Sequence, residues 1–108
     1  MRKQMKLESE FVPKLKEELY VLFPGCYILK LDSGQQQGIP DLLILFNDRW
    51  AILEVKRHRH ASHKPNQEYF VETFNNMSFS AFIFPENKEE ILDELQLAFG
   101  TRRQALFS

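Results

Sequence analysis

The 108-residue sequence predicts an α/β (α+β) fold: a mixed four-stranded sheet flanked by helices, in the order helix, three strands, helix, strand, helix. Three observations support this. Apolar residues recur three or four positions apart in three separate segments, and runs of strand-forming residues, bounded by turn residues, lie between them. The chain is also 44% hydrophobic, enough for one core, so residues 1–108 are expected to form a single domain.

Leu7, Phe11, Leu15, Leu19 and Leu22 mark an amphipathic helix running to about Phe23, where Pro24-Gly25 stops it. Pro13 is tolerated only in a first turn, so this helix either begins near Ser9 or bends there. Cys26 to Leu31 suits a strand, and Asp32 to Gly38, rich in glycine and glutamine, reads as a polar loop. The second strand, Asp41 to Phe46, is apolar at every position from Leu42 and is expected to lie centrally with both faces covered. A short turn at Asn47-Asp48-Arg49 leads to the third strand, Trp50 to Arg57.

Asn66 is a fitting N-cap for a helix with Phe70, Val71, Phe74 and Met77 on one stripe. Ser78 to Phe84 forms the fourth strand, closed by Pro85. Asn87 with Glu90 has the spacing of a capping box, and Ile91, Leu92, Leu95, Ala98 and Phe99 give a last stripe before Gly100. The tail beyond is short and partly basic, and no repeat or interdomain linker is visible.

A net charge of −1 argues against coating nucleic acid through bulk positive charge, but the charges are unevenly spread. Lys56, Arg57, Arg59 and Lys64, interleaved with His58, His60 and His63, form a stretch without an acid. Much of the compensating acid lies at Glu86, Glu89, Glu90, Asp93 and Glu94. The lone Cys26 cannot form an internal disulfide, which fits a reducing cytoplasm. No apolar run approaches the roughly 18 residues that span a bilayer, and the charged N-terminus is not followed by an apolar signal segment, so the chain is expected to be soluble and unsecreted.

Alternation along the third strand puts Trp50, Ile52, Glu54 and Lys56 on one face. A tight turn pairs this strand antiparallel with the one before, bringing Asp41 beside Glu54. Two carboxylates held this close raise each other's pKa and are most simply explained by a bound cation. Hard oxygen ligands suit Mg²⁺, for which Mn²⁺ can substitute. Such an ion activates water and neutralises phosphate charge, and a neighbouring lysine can position the nucleophile, so phosphodiester hydrolysis follows. The plainer alternative has Asp41 capping a strand, and Glu54 and Lys56 as a solvated surface pair. Glu-x-Lys alone favours that alternative; Pro40-Asp41 at an apolar strand, followed at hairpin distance by Glu54-Val55-Lys56, is much less common.

Gly38-Ile-Pro-Asp41 followed by Glu54-Val-Lys56 resembles the signature of the PD-(D/E)XK nucleases, and the order of elements over roughly residues 7 to 84 resembles their restriction-endonuclease-like α-β-β-β-α-β core, here with an added C-terminal helix. With Lys64-Pro-Asn-Gln67, the pattern is most similar to the virus-type replication-repair (VRR-NUC) nucleases and close to that of the Holliday-junction resolvases. The resemblance implies that Asp41, Glu54 and the Val55 carbonyl bind the metal, with Lys56 assisting the attacking water. It also implies an acidic ligand on the first helix. At about 100° per residue, Glu8 falls on the apolar stripe and Glu10 opposite, so Glu8 is preferred; a frayed glutamate favoured by the helix dipole is the alternative. Gln67, by its spacing from Phe70 and Phe74, should face the sheet, near the site where the family carries a glutamine; a first-turn polar residue without a partner fits the spacing equally well.

Arg57, Arg59 and Lys64 leave the active-site strand directly and are candidates for phosphate contacts, against the alternative of a solvated loop. Gln36 and Gln37 are candidates to touch the substrate backbone. The histidines lack the partners of a transition-metal site, and Trp50 and the phenylalanines read as core. The leading reading is a Mg²⁺-dependent DNA endonuclease acting on branched or structured DNA, with no organic cofactor and no membrane association. A homodimer is implied by the resemblance to junction resolvases. Action on linear DNA ends or RNA is the alternative within catalysis; a DNA-binding module without turnover is the alternative outside it.

Overall fold

The structure, a computed structural model, describes residues 6–101. The charged N-terminal residues 1–5, the tail 102–108 and the side chain of Glu8 lie outside the described residues.

Leu7–Phe11 form a π-helical turn running directly into α1 (Val12–Leu22). Pro13 is the cause. Proline carries no N–H, and its ring crowds the carbonyl four residues back, so the turn before it widens. Phe11 N accordingly donates to Lys6 O at 2.9 Å and Val12 N–H to Leu7 O, each reaching back five residues. Of the two predicted outcomes neither holds as stated: the helix begins at Leu7, before Ser9, and absorbs the proline by opening its first turn.

The strands β1 (Tyr27–Lys30), β2 (Leu42–Phe46), β3 (Arg49–Val55) and β4 (Phe79–Ile83) lie in the order β1-β2-β3-β4. The first two pairings are antiparallel and β3 with β4 is parallel, a mixed sheet as the sequence predicts. The parallel pair needs a crossover, which α2 (Gln67–Met77) supplies. Asn47 closes the β2–β3 turn at φ 56°, a left-handed conformation asparagine tolerates well. α3 (Lys88–Phe99) ends at Gly100, whose φ of 82° suits a residue without Cβ.

Alternation divides the sheet into two unlike faces. Leu42, Ile44, Ala51, Leu53, Val55 and Ile83 join one buried cluster with Leu15 and Leu19 of α1, Phe23 just after it, and Leu92, Leu95 and Phe99 of α3. Phe23 packs edge-on to Phe99 at 5.0 Å between ring centres. On the opposite face α2 lies over β3 and β4, with Phe74 against Trp50 at 6.2 Å.

Three expectations need correction. β2 is interior to the sheet, yet only one face is covered: Ile44 is fully buried while Leu45 is 37% exposed. α2 packs mainly on β3 and β4, and on the same face of β1 Tyr27 is 69% and Leu29 46% exposed. Second, Asn87 and Glu90 form no capping box. The Asn87 side chain instead accepts from Phe84 N at 2.8 Å and donates to Phe82 O at 3.0 Å, bracing the turn out of β4. Third, Asn66 stands at the N-cap of α2 but makes no side-chain cap, because its backbone is left-handed at φ 70°. Among the described residues no helix is long and apolar enough to cross a membrane.

Candidate active site

Strand register puts the acidic residues together. Leu42 pairs with Leu53, so Asp41, one step earlier, stands across from Glu54. Asp41 is held from both neighbouring strands: its carbonyl accepts from Leu31 N at 2.7 Å, and its Oδ2 accepts from Val55 N at 2.8 Å. The loop before it is pinned by a close approach. Gly38 has φ 90°, and a Cβ there would lie 2.6 Å from Asn66 Cβ and 2.8 Å from Pro65 O. Only glycine fits both conditions, so the entry to β2 rests directly on the entry to α2.

Glu54, Lys56 and Gln67 are buried, at 4%, 8% and 7% exposure. Gln67, first residue of α2, links the other two. Its Oε1 accepts from Lys56 Nζ at 2.6 Å and from Lys64 N at 2.8 Å, and its Nε2 donates to Glu54 Oε2 at 3.0 Å. Donors on one side and an acceptor on the other fix the orientation of the amide. Lys56 Nζ also donates to Ser62 O at 3.1 Å and lies 3.6 Å from Glu54 Oε2. Glu54 Oε2 is thus satisfied, whereas the buried Oε1 has no hydrogen-bond partner among the described residues.

Burial pushes the Glu54 carboxyl up to about 7; the opposing Asp41 carboxylate adds to the rise, and Lys56 partly offsets it. An orphaned, buried carboxylate oxygen across from a second carboxylate fits a missing cationic partner. Among the described residues no group of three or more His, Cys, Asp or Glu side chains is placed to hold a metal. Two carboxylates nonetheless suit Mg²⁺, which is commonly bound through one or two and keeps several waters. Glu8 belongs to the π-helical turn, where the rotation of about 100° per residue used to prefer it does not apply. Its side chain lies outside the described residues, and Glu10 is exposed.

These groups open into a cleft of 830 Å³. Of the expected nucleic-acid contacts, Arg57, Lys64 and Gln37 line it; Arg59 and Gln36 do not. The Arg59 amide donates to Glu86 Oε2 at 3.2 Å, a residue outside the cleft lining, and the Gln36 carbonyl is taken up by Ile39 N within its own turn. The hydrogen bond from the Arg59 amide also lowers the pKa of Glu86, with the charges of Arg59 and His58 contributing less. The histidines have separate partners. His63 stacks on Phe82 at 4.1 Å and sits 2.9 Å from Glu68, while His58 Nδ1 accepts from His60 N.

Lys16 of α1, Lys30 of β1 and Ser62 also line the cleft, and sequence reasoning did not single them out. Lys30 pairs with Leu42, beside Asp41, but the long loop between β1 and β2 hides that register from the sequence. No spacing signal marks Lys16 or Ser62.

No protein-family model matches the chain, and no curated protein does. A solved structure described as a VRR_NUC domain is similar in fold, with a TM-score of 0.61 and 22% identity over 76% of this chain and 89% of that one. The α+β architecture expected from the order of elements is therefore similar to the fold of a VRR_NUC domain.

Proposed function

We propose that this chain, which shares the fold of a VRR_NUC domain, is a metal-dependent DNA endonuclease that hydrolyses phosphodiester bonds, acting as one domain over residues 1–108. The observation that carries the reading is the pairing of Asp41 with Glu54, whose buried Oε1 has no hydrogen-bond partner among the described residues, in the lining of a basic cleft. A stability-driven fold has no need of such a pair, since burying like charges together costs free energy without return. Asp41, Glu54, the Val55 carbonyl and Glu8 would hold Mg²⁺, with Mn²⁺ able to replace it. When bound, such an ion supplies a lowered pKa for water and neutralisation of phosphate charge.

The remaining work falls to the chain's own groups. Gln67 and the Ser62 carbonyl hold the Lys56 ammonium in place, leaving it beside Glu54 to orient an attacking water or to stabilise charge on a phosphate oxygen. Burial keeps these groups in a low-dielectric setting where each contact acts strongly. Gln67 is a positioning residue for both. Arg57, Lys64 and Gln37, which line the cleft, bind the backbone beyond the cut.

Selectivity for branched or structured DNA, as in junction resolvases, is part of the proposal, as is a homodimer presenting two sites. The open apolar face at Tyr27, Leu29 and Leu45 supports the dimer, because such a patch on a small domain commonly marks an interface. The test is cleavage of four-way junction, flap, linear duplex, single-stranded DNA and RNA with Mg²⁺, Mn²⁺ or chelator. Metal-dependent cutting strongest on the junction is the expected result. Cutting confined to linear ends or RNA would change the substrate, and no metal-dependent cleavage of any would leave only a binding module.

A further inference from the structure

The cleft is basic on two sides, and only one of them belongs to the loop that leaves the Lys56 strand. Sheet order places Lys30, the last residue of β1, on one flank of the Asp41–Glu54 pair. Arg57, which follows β3, lies on the other flank, towards β4, where the Arg59 amide meets Glu86. Lys16, half-buried on α1, lines the cleft together with Lys30. Among the described residues the ion pairs engage Lys56, Lys88, Arg49 and His63, and neither Lys16 nor Lys30 takes part in one or in a side-chain hydrogen bond. In a chain of net charge −1, two uncompensated ammonium groups facing one cleft point to an anionic ligand that spans it.

What the cleft lacks defines how that ligand is read. None of the described residues lining it is aromatic, so it offers no platform on which bases could stack. Lysines at separate points along a groove instead suit successive phosphates.

We propose that Lys16 and Lys30 form a second phosphate-binding wall of the cleft, with Lys30 gripping the nucleic-acid backbone on the side of the scissile phosphate opposite Arg57, so that the substrate is held through its backbone rather than by stacked bases. This rests on the nuclease reading, and it is tested by binding alone.

The experiment measures the affinity of the full chain for two labelled duplexes of unrelated sequence and for a four-way junction, in chelator, over a range of salt. The Lys16→Gln/Lys30→Gln protein should lose affinity equally on both duplex sequences. Its slope of log affinity against log salt should fall by roughly 2, about 0.9 for each lost phosphate contact. Lys16→Arg/Lys30→Arg should restore the slope, which loss of folding would not permit; thermal melting of each variant checks this separately. An unchanged slope, a loss confined to one sequence, or a wild-type protein that binds none of these would overturn the proposal. A wild type that binds steeply but cleaves nothing would refute the nuclease reading and leave the wall standing. Cleavage with an unaltered slope would do the reverse.

Discussion

Leu53 and Glu54 are neighbours on β3 and almost equally hidden, at 0% and 4% exposure, yet they enter opposite environments. Leu53 meets the apolar layer of α1 and α3, within one buried hydrophobic cluster. Glu54 meets Gln67, Lys56 and the carboxyl of Asp41 under the start of α2, and one of its oxygens has no hydrogen-bond partner among the described residues. One face of a single strand holds the fold together. The other holds charges whose burial opposes folding, an arrangement that marks functional sites.

The sharpest test of this contrast is Leu53→Ala, which empties space in the closed face and should cost about 2–5 kcal/mol of unfolding free energy by denaturant titration. A loss under 1 kcal/mol would mean that this face is not the stabilising one. Lys56→Ala should do the opposite: the protein stays folded, while metal-dependent cleavage drops by at least about 10²–10³-fold, as for loss of a preorganised electrostatic contact. Wild-type rates would remove Lys56 from the site.

The pH dependence tests the cost of the polar face directly. The folded Glu54 carboxyl, at about 7, holds its proton more tightly than at its ordinary 4.5, so its contribution favours folding below 4.5 and is lost as pH rises to about 7. The difference corresponds to roughly 3 kcal/mol. In chelator, Glu54→Gln should therefore gain stability relative to wild type between pH 4.5 and pH 8, and the two curves should not run parallel. Added Mg²⁺ should reverse the trend, stabilising wild type more at pH 8 than at pH 5.5, because a ligand carboxyl must be deprotonated. The smallest expected effect is that of Gln67→Ala: a tenfold to hundredfold fall in cleavage, the usual range for groups that orient metal ligands and their neighbours, with about 1–3 kcal/mol of stability lost. Equal activity with a lower melting temperature would make Gln67 structural only.

Much of this contrast is legible in the sequence. Alternation separates Leu53 from Glu54, helical spacing turns Gln67 towards the sheet, and the short β2–β3 turn leaves one plausible register for Asp41. Features decided across longer distances are not legible. That β2 is covered on one side only depends on where α2 lands, which its own apolar run does not encode. Within the basic loop, composition cannot separate Lys64, which faces the cleft, from Arg59, whose amide is held by Glu86. Pro13 signals a disturbance, but whether a helix starts, bends or widens there depends on packing around the first turn.

The contact of Gly38 with the Pro65–Asn66 turn divides the preceding loop into two unlike parts. Residues 32–37 are exposed, and their local order comes from short-range contacts such as Gly34 N donating to Asp32 Oδ1 at 2.8 Å. From Gly38 to Asp41 the chain is buried or half-buried, and at Gly38 itself there is no room for an added Cβ. For anyone re-engineering the molecule, Ser33–Gln36 is the segment to lengthen or exchange for a different recognition loop. The four residues after Gln37 form the fixed hinge-post on which any such graft must hang.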